Sequence, residues 1–282
     1  MTSPEGVEPT TLSVVEEFGL DIEVLSDDEV RLPVGMSRGG DLITTARVRA
    51  VTGGDRKKAT GGKAQRSAAH MMTALLEACV IDLGGQRPTK HDVRRLTEPD
   101  RSLLAAEIRR RTYPGEKIMI TAECDPKTGG CGSKWDFFLD LDELTINYAS
   151  DIKWIDGLPC FIVNDEGINL KATMHYLLGE DSESMAGQFK DRDMDTVSPA
   201  ELMDATVLSM LMDINGKEIR PEQYDRLPPI VHSTFEQSII DNRAGPDLEI
   251  LSTCKKCKKA MNPEVNIVDF LLRGRAKKVS KR

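Results

Sequence analysis

The sequence predicts an α+β fold: mixed helices and short antiparallel strands, with a zinc-ribbon-like four-cysteine module joining residues 124–131 to residues 254–257. Three observations predict it. Apolar residues recur at spacings of three and four in separate stretches near residues 65–80, 97–111 and 198–212, the mark of helices with one buried face. Short β-branched runs bounded by Gly, Pro and Asn lie between them and read as strands. Two close cysteine pairs, Cys124 with Cys131 and Cys254 with Cys257, sit beside such strand-like runs, where tight turns deliver thiolates two at a time to a tetrahedral metal ion.

Along the chain, residues 1–40 read as an arm that orders against a partner. Its first 28 residues alternate acidic and apolar side chains, and residues 29–35 form a first strand. Residues 41–115 form an α/β part. It opens with a strand over 42–51, and a glycine- and lysine-rich loop over 52–66 follows. A helix over 65–80 places Ala69, Met72, Leu75, Leu76 and Cys79 on one face, with Gly84-Gly85 as its stop. Thr97-Glu-Pro-Asp100 opens the next helix with an N-cap hydroxyl, an early proline and two first-turn acids, and Arg109, Arg110 and Arg111 close its C-terminal turn as a capped helix end rather than a binding site.

Residues 116–272 form the ribbon-containing α+β part. Strands over 117–123 and 134–141 flank Cys124 and Cys131, so that pair caps a hairpin. Two further strands over 159–163 and 168–173 are split by the turn Asn164-Asp-Glu-Gly167. Ser198-Pro-Ala-Glu201 reads as a capping box opening a helix with Leu202, Val207, Leu208, Leu211 and Met212 on its apolar side. Asn215-Gly216 is a turn, and a last helix after Pro229 carries Ile230, Val231, Phe235, Ile239 and Ile240. A strand over 249–253 leads into the second cysteine pair, and residues 273–282 are a basic tail.

The two pairs differ. Cys254-Lys-Lys-Cys257 is a two-residue-spaced knuckle whose lysines favour thiolate over thiol. Cys124 and Cys131 are separated by six residues, with Pro126, Gly129, Gly130 and Gly132 supplying turn chemistry. Free thiols or a redox pair are the alternatives for this half. Four thiolates on one zinc leave no open position, so the expected role of the metal is structural. Cys79 and Cys160 lie in apolar settings and read as buried small hydrophobes.

A hydrophobic share of 39% over 282 residues is enough for a real core. There is no apolar run of about 18 residues and no basic, apolar leader, so neither a membrane span nor a secretory signal is expected. Cysteines spaced for metal imply a reducing compartment. The net charge of −8 hides an asymmetry: residues 254–282 carry ten Lys or Arg against Glu264 and Asp269, a local +8, leaving −16 on residues 1–253. A basic end on an acidic body favours protein contacts over nucleic acid.

Catalytic patterns are missing. Gly61-Gly62-Lys63 fails as a phosphate loop because no Ser or Thr follows the lysine and no apolar strand leads into it. The four histidines, His70, His91, His175 and His232, are scattered, and the carboxylates are evenly dispersed, so the chain is expected to be no enzyme.

Residues 44–54, 76–85, Leu96-Thr-Glu-Pro-Asp-Arg101 running into Glu107-Ile-Arg-Arg, the first cysteine pair, Leu139-Asp-Leu-Asp-Glu143, and the late second pair followed by Phe270-Leu-Leu come in an order that resembles the baseplate hub proteins of contractile-tailed, T-even-like bacteriophages. Two features depart from that family: its first pair looks two-residue-spaced, and a glycine usually follows its last cysteine, where this chain has Lys258. The resemblance implies a structural or assembly protein of a contractile-tail baseplate. Its partners would be hub, tail-tube and wedge proteins, and it would reside in the host cytoplasm during assembly and in the virion tail afterwards. The rival expectation is a zinc-ribbon nucleic-acid-binding regulator, motivated by the lysines around Cys254 and Cys257 and predicting salt-dependent binding.

Overall fold

A computed structural model describes residues 29–61, 67–124, 126, 129–192, 196–248 and 252–261. The first 28 residues of the arm expected over 1–40, the Gly62-Lys63 part of the glycine loop, residues 249–251 of the strand before the second pair, Phe270 and the basic tail lie outside the described residues. The architecture is α+β. β1 (Glu29–Arg38), β2 (Asp41–Val48) and β3 (Val80–Leu83) form one antiparallel sheet in the order β1-β2-β3. β7 (Lys153–Ile155), β8 (Leu158–Asp165), β9 (Leu170–His175) and β10 (Leu211–Ile214) form a second in the order β10-β9-β8-β7, again antiparallel throughout. Three two-stranded ribbons complete the sheets among the described residues: β4 (Ile118–Glu123) with β5 (Lys134–Leu139), β6 (Ile146–Asn147) with β11 (Gly245–Pro246), and β12 (Ser252–Thr253) with β13 (Ala260–Met261).

Eight described helices surround them: α1 (Gly53–Thr60), α2 (Ala68–Cys79), α3 (Lys90–Arg95), α4 (Glu98–Thr112), α5 (Gly179–Gln188), α6 (Pro199–Met210), α7 (Pro221–Tyr224) and α8 (Pro229–Asp241). None is long and apolar enough to cross a membrane.

α1 replaces part of the expected loop. Thr52 caps it and the Asp55 carboxylate returns to the Thr52 amide at 2.9 Å, while Arg49 from the end of β2 holds Asp55 at 2.6 Å, which lowers the Asp55 pKa against the burial that would raise it. Gly84-Gly85 ends β3 rather than α2, because the chain turns extended at Val80 and pairs with β2 first. Cys79 and Cys160 are both fully buried, as expected.

α4 begins as expected, with Thr97 accepting from the Asp100 amide and Pro99 in the first turn. Its charges do not stay at the surface. Asp100 is fully buried and accepts from the amides of Val34 at 2.9 Å and Gly35 at 3.1 Å and from the Thr97 hydroxyl at 2.7 Å, fastening β1 to the helix start. Arg101 is fully buried too, donating to the carbonyls of Ala69 and Val93 and to the Thr73 hydroxyl, with Glu98 as its ion-pair partner. Space for it exists because residue 179 is glycine: a Cβ there would stand 1.7 Å from Arg101 Nη1. Arg109 and Arg111, in the last turn of the helix as expected, are also buried. Arg109 lies over the Tyr113 ring at 4.0 Å, and only Arg110 of the three reaches outward, to Glu107 and Asp142.

Two apolar cores result. The first packs Leu75, Leu76 and Cys79 of α2 and Leu104 and Ile108 of α4 beneath the three-stranded sheet. The second packs Phe161, Val163, Ala172 and Met174 of the four-stranded sheet against Val207 of α6 and Phe235 of α8. β1 serves both, giving Leu32 and Met36 to the first and Val34 to the second. Each such side chain contributes roughly 1.5–3 kcal/mol by burial.

In α6 only half of the expected capping box forms. Ser198 accepts from the Glu201 amide, but the Glu201 carboxylate is taken by Arg192. Asn215 and Gly216 make the expected turn with both residues at positive φ, 49° and 72°. On α8, Phe235 is buried, whereas Ile230 and Ile240 face solvent. Leu211 and Met212 belong to β10 rather than to α6.

Candidate metal centre

Cys124 directly follows β4 and Cys131 lies three residues before β5; Cys254 directly follows β12 and Cys257 lies three residues before β13. Both pairs therefore sit at the tips of antiparallel hairpins, each closed by a registered pair, Glu123 with Lys134 and Thr253 with Ala260. The four Sγ atoms lie within 4.8 Å of one another, with Cys124 to Cys257 and Cys131 to Cys254 each at 3.5 Å. A tetrahedral ion with metal–sulfur bonds of about 2.3 Å needs sulfur–sulfur edges of ~3.8 Å, so the cluster has the right dimensions to close around one ion. None of the six cysteines forms a disulfide.

The local hydrogen bonds explain how two unequal loops deliver matching ligands. In the wide loop the Cys131 amide donates to Cys124 Sγ at 3.3 Å, the Gly132 amide to the Cys124 carbonyl at 2.8 Å, and the Cys124 amide to the Ser133 carbonyl at 2.9 Å. In the narrow loop the Cys257 amide donates to Cys254 Sγ at 3.4 Å, the Lys258 amide to the Cys254 carbonyl at 2.8 Å, and the Cys254 amide to the Lys259 carbonyl at 2.8 Å. The same three bonds form in both. The extra residues of the wide loop lie ahead of this frame, folded by a turn in which the Gly129 amide donates to the Pro126 carbonyl at 3.0 Å.

Cys124 and Cys254 are buried, Cys131 is half-buried and Cys257 exposed, so the cluster is covered on one side. The thiols are held at different acidities. Hydrogen bonds from the Ser133 hydroxyl, whose Oγ is 3.2 Å from the sulfur, and from its amide hold Cys131 down at about 6. At Cys124 the Cys131 amide favours the thiolate, but burial and the three neighbouring thiols outweigh it and push the group up to about 12. Cys254 is lowered, chiefly by the Cys257 amide. Four thiolates this close repel one another unless a cation lies among them, and the amide donors to Cys124 and Cys254 supply the outer support that metal thiolates need. The donor set and its surroundings thus fit a bound metal ion.

All four cysteines singled out in the sequence come together, and they are the one group of three or more metal-capable side chains among the described residues. The histidines stand elsewhere: His70 Nδ1 meets Ser67 Oγ at 2.8 Å, His175 Nδ1 meets the Tyr176 carbonyl at 2.9 Å, His232 Nδ1 meets Asp204 at 3.3 Å, and His91 is exposed. Ser133 is the site residue that spacing does not reveal; its position two after Cys131 is the available signal.

No family model matches the chain, and neither a curated protein nor a solved structure matches it. The fold and the site together define an α+β protein with a four-cysteine cluster compatible with a zinc-ribbon-like module.

Proposed function

We propose that the protein is a structural component or assembly factor of a contractile phage tail baseplate, acting through contacts with hub, tail-tube and wedge proteins while one structural zinc ion ties its two hairpins together. The observation that carries the structural role of the metal is the closed set of four thiols on two hairpin tips, drawn from positions more than a hundred residues apart. Such a site offers no vacant coordination position for a substrate and holds distant parts of the chain in one arrangement, which suits an assembly part. The order of segments over about residues 42–272 supports the tail reading by its resemblance to baseplate hub proteins. On this reading the protein works in the host cytoplasm during assembly and resides in the tail of the virion.

The test is to purify the tagged chain from the cells that make it, identify copurifying proteins by mass spectrometry and record nucleic-acid absorbance. Tail-tube, hub or wedge proteins are expected; nucleic acid released by moderate salt, with no tail proteins, overturns the reading. That second outcome belongs to the rival regulator, which one observation favours: Lys255, Lys256 and Lys258 are all exposed on the second knuckle.

A further inference from the structure

Away from the cysteines, a cavity of about 490 Å³ opens between the start of α2 and the facing sides of α5 and α6. Ala69, Met185, Phe189 and Leu202 make its apolar lining, with Leu202 among the large apolar side chains most open to solvent. Its rim is basic. Lys190 is exposed there, and Arg192 lies 5.7 Å from the Phe189 ring while pairing with Glu201. α2 has no acidic residue in its first turn, so its positive end adds to the same field. An occupant suited to this groove is apolar along its length and carries acids at its margin.

The chain holds such a segment. Residues 1–28 contain eight Asp or Glu and no Lys or Arg, and within them Leu12, Val14, Val15, Phe18 and Leu20 are interleaved with Glu16, Glu17 and Asp21. Its point of attachment is within reach of the groove. Glu29 pairs with Arg47 on β2, which pairs with Asp82 on β3, and β3 follows directly from the far end of α2. Twelve helical residues, the three residues from Cys79 to Asp82 and two strand spacings make a path of at most ~38 Å from Glu29 to the groove, which about eleven extended residues bridge. Counting back about eleven residues from Glu29 brings Phe18 and the apolar residues before it within reach of the groove.

We propose that this groove receives the chain's own acidic N-terminal segment, with the apolar residues between Leu12 and Leu20 against Phe189 and Leu202 and the acids of that segment beside Lys190. The groove and the charge pattern carry it independently of the tail reading.

The test uses the full chain with the photoreactive p-benzoylphenylalanine in place of Phe18, irradiated at low concentration, digested and mapped by mass spectrometry. Crosslinks to peptides containing Met185, Phe189 or Leu202 within a single monomer are expected. Lys190→Glu should lower their yield roughly fivefold, and Glu16→Lys with Glu17→Lys should recover it in that background. Crosslinks that fall elsewhere, or that form only between two copies, overturn the proposal, as does a yield indifferent to the charge at residue 190.

Discussion

Gly132 and Lys258 hold the same place in the two knuckles. Each follows the second cysteine of its pair, each lies in the left-handed region at φ 69° and 62°, and each donates its amide to the carbonyl of its pair's first cysteine at 2.8 Å. A lysine has a Cβ that opposes this conformation by roughly 1–2 kcal/mol, whereas glycine adopts it freely. Lys258→Gly is therefore expected to raise metal-bound stability by about 0.5–1 kcal/mol after the added freedom of the unfolded chain is subtracted. Gly132→Val should lower it by about 1–2 kcal/mol, although the nearest atom to an added Cβ, Pro126 Cγ at 3.6 Å, leaves room. Denaturant unfolding of the metal-bound forms measures both.

Asp100 makes stability depend on pH in an unusual direction. Burial raises its carboxyl to about 6, against the Thr97 hydroxyl and the Val34 and Gly35 amides that favour the anion. Because the folded state then binds the proton more tightly than the unfolded state, this group's contribution is complete below pH ~4 and is lost as pH rises to about 6, by roughly 3 kcal/mol. Asp100→Asn should flatten that part of the profile. Asp100→Ala strands two buried amides and should cost about 2–4 kcal/mol at neutral pH. Unfolding free energies from pH 4 to 7 decide it.

Gly179 and Gly187 share helix α5 but should respond oppositely to alanine. At residue 179 the new Cβ collides with the Arg101 guanidinium, breaking the bonds of a buried cation, and a loss of about 3–5 kcal/mol is expected. At residue 187 nothing lies within 4 Å, so the change should stabilise by about 0.5–1 kcal/mol through helix propensity. Thermal melts of the two variants suffice.

How much of this is legible in the sequence depends on where each cause lies. Thr97 and Ser198 announce their helices because cap, proline and apolar spacing are all local. α1 is hidden, since Gly53-Gly54 and a basic run resemble a loop and the Arg49 that secures its capping box lies just past the end of the preceding strand. The cysteine grouping is readable from residue type and hairpin context. That six-residue and two-residue spacings share one hydrogen-bond frame is not, because the frame occupies only the last part of the wider loop. The burial of Asp100, Arg101, Arg109 and Arg111 is equally silent, since charged residues on a helix ordinarily face water and only the packed neighbours reverse that.

The six cysteines should divide into two functional sets. Serine at Cys124, Cys131, Cys254 or Cys257 should abolish stoichiometric metal binding and bring the melting temperature to that of chelator-treated wild type. Cys79→Ser and Cys160→Ser should keep the metal while costing about 1–3 kcal/mol for burying a hydroxyl. Metal analysis alongside thermal unfolding separates the sets.

The most direct test is X-ray absorption and native mass spectrometry of the protein purified under reducing conditions. One zinc per chain with four sulfur neighbours at about 2.3 Å is the predicted result. A chain that carries no metal, or one in which these cysteines are paired as disulfides, would contradict the account.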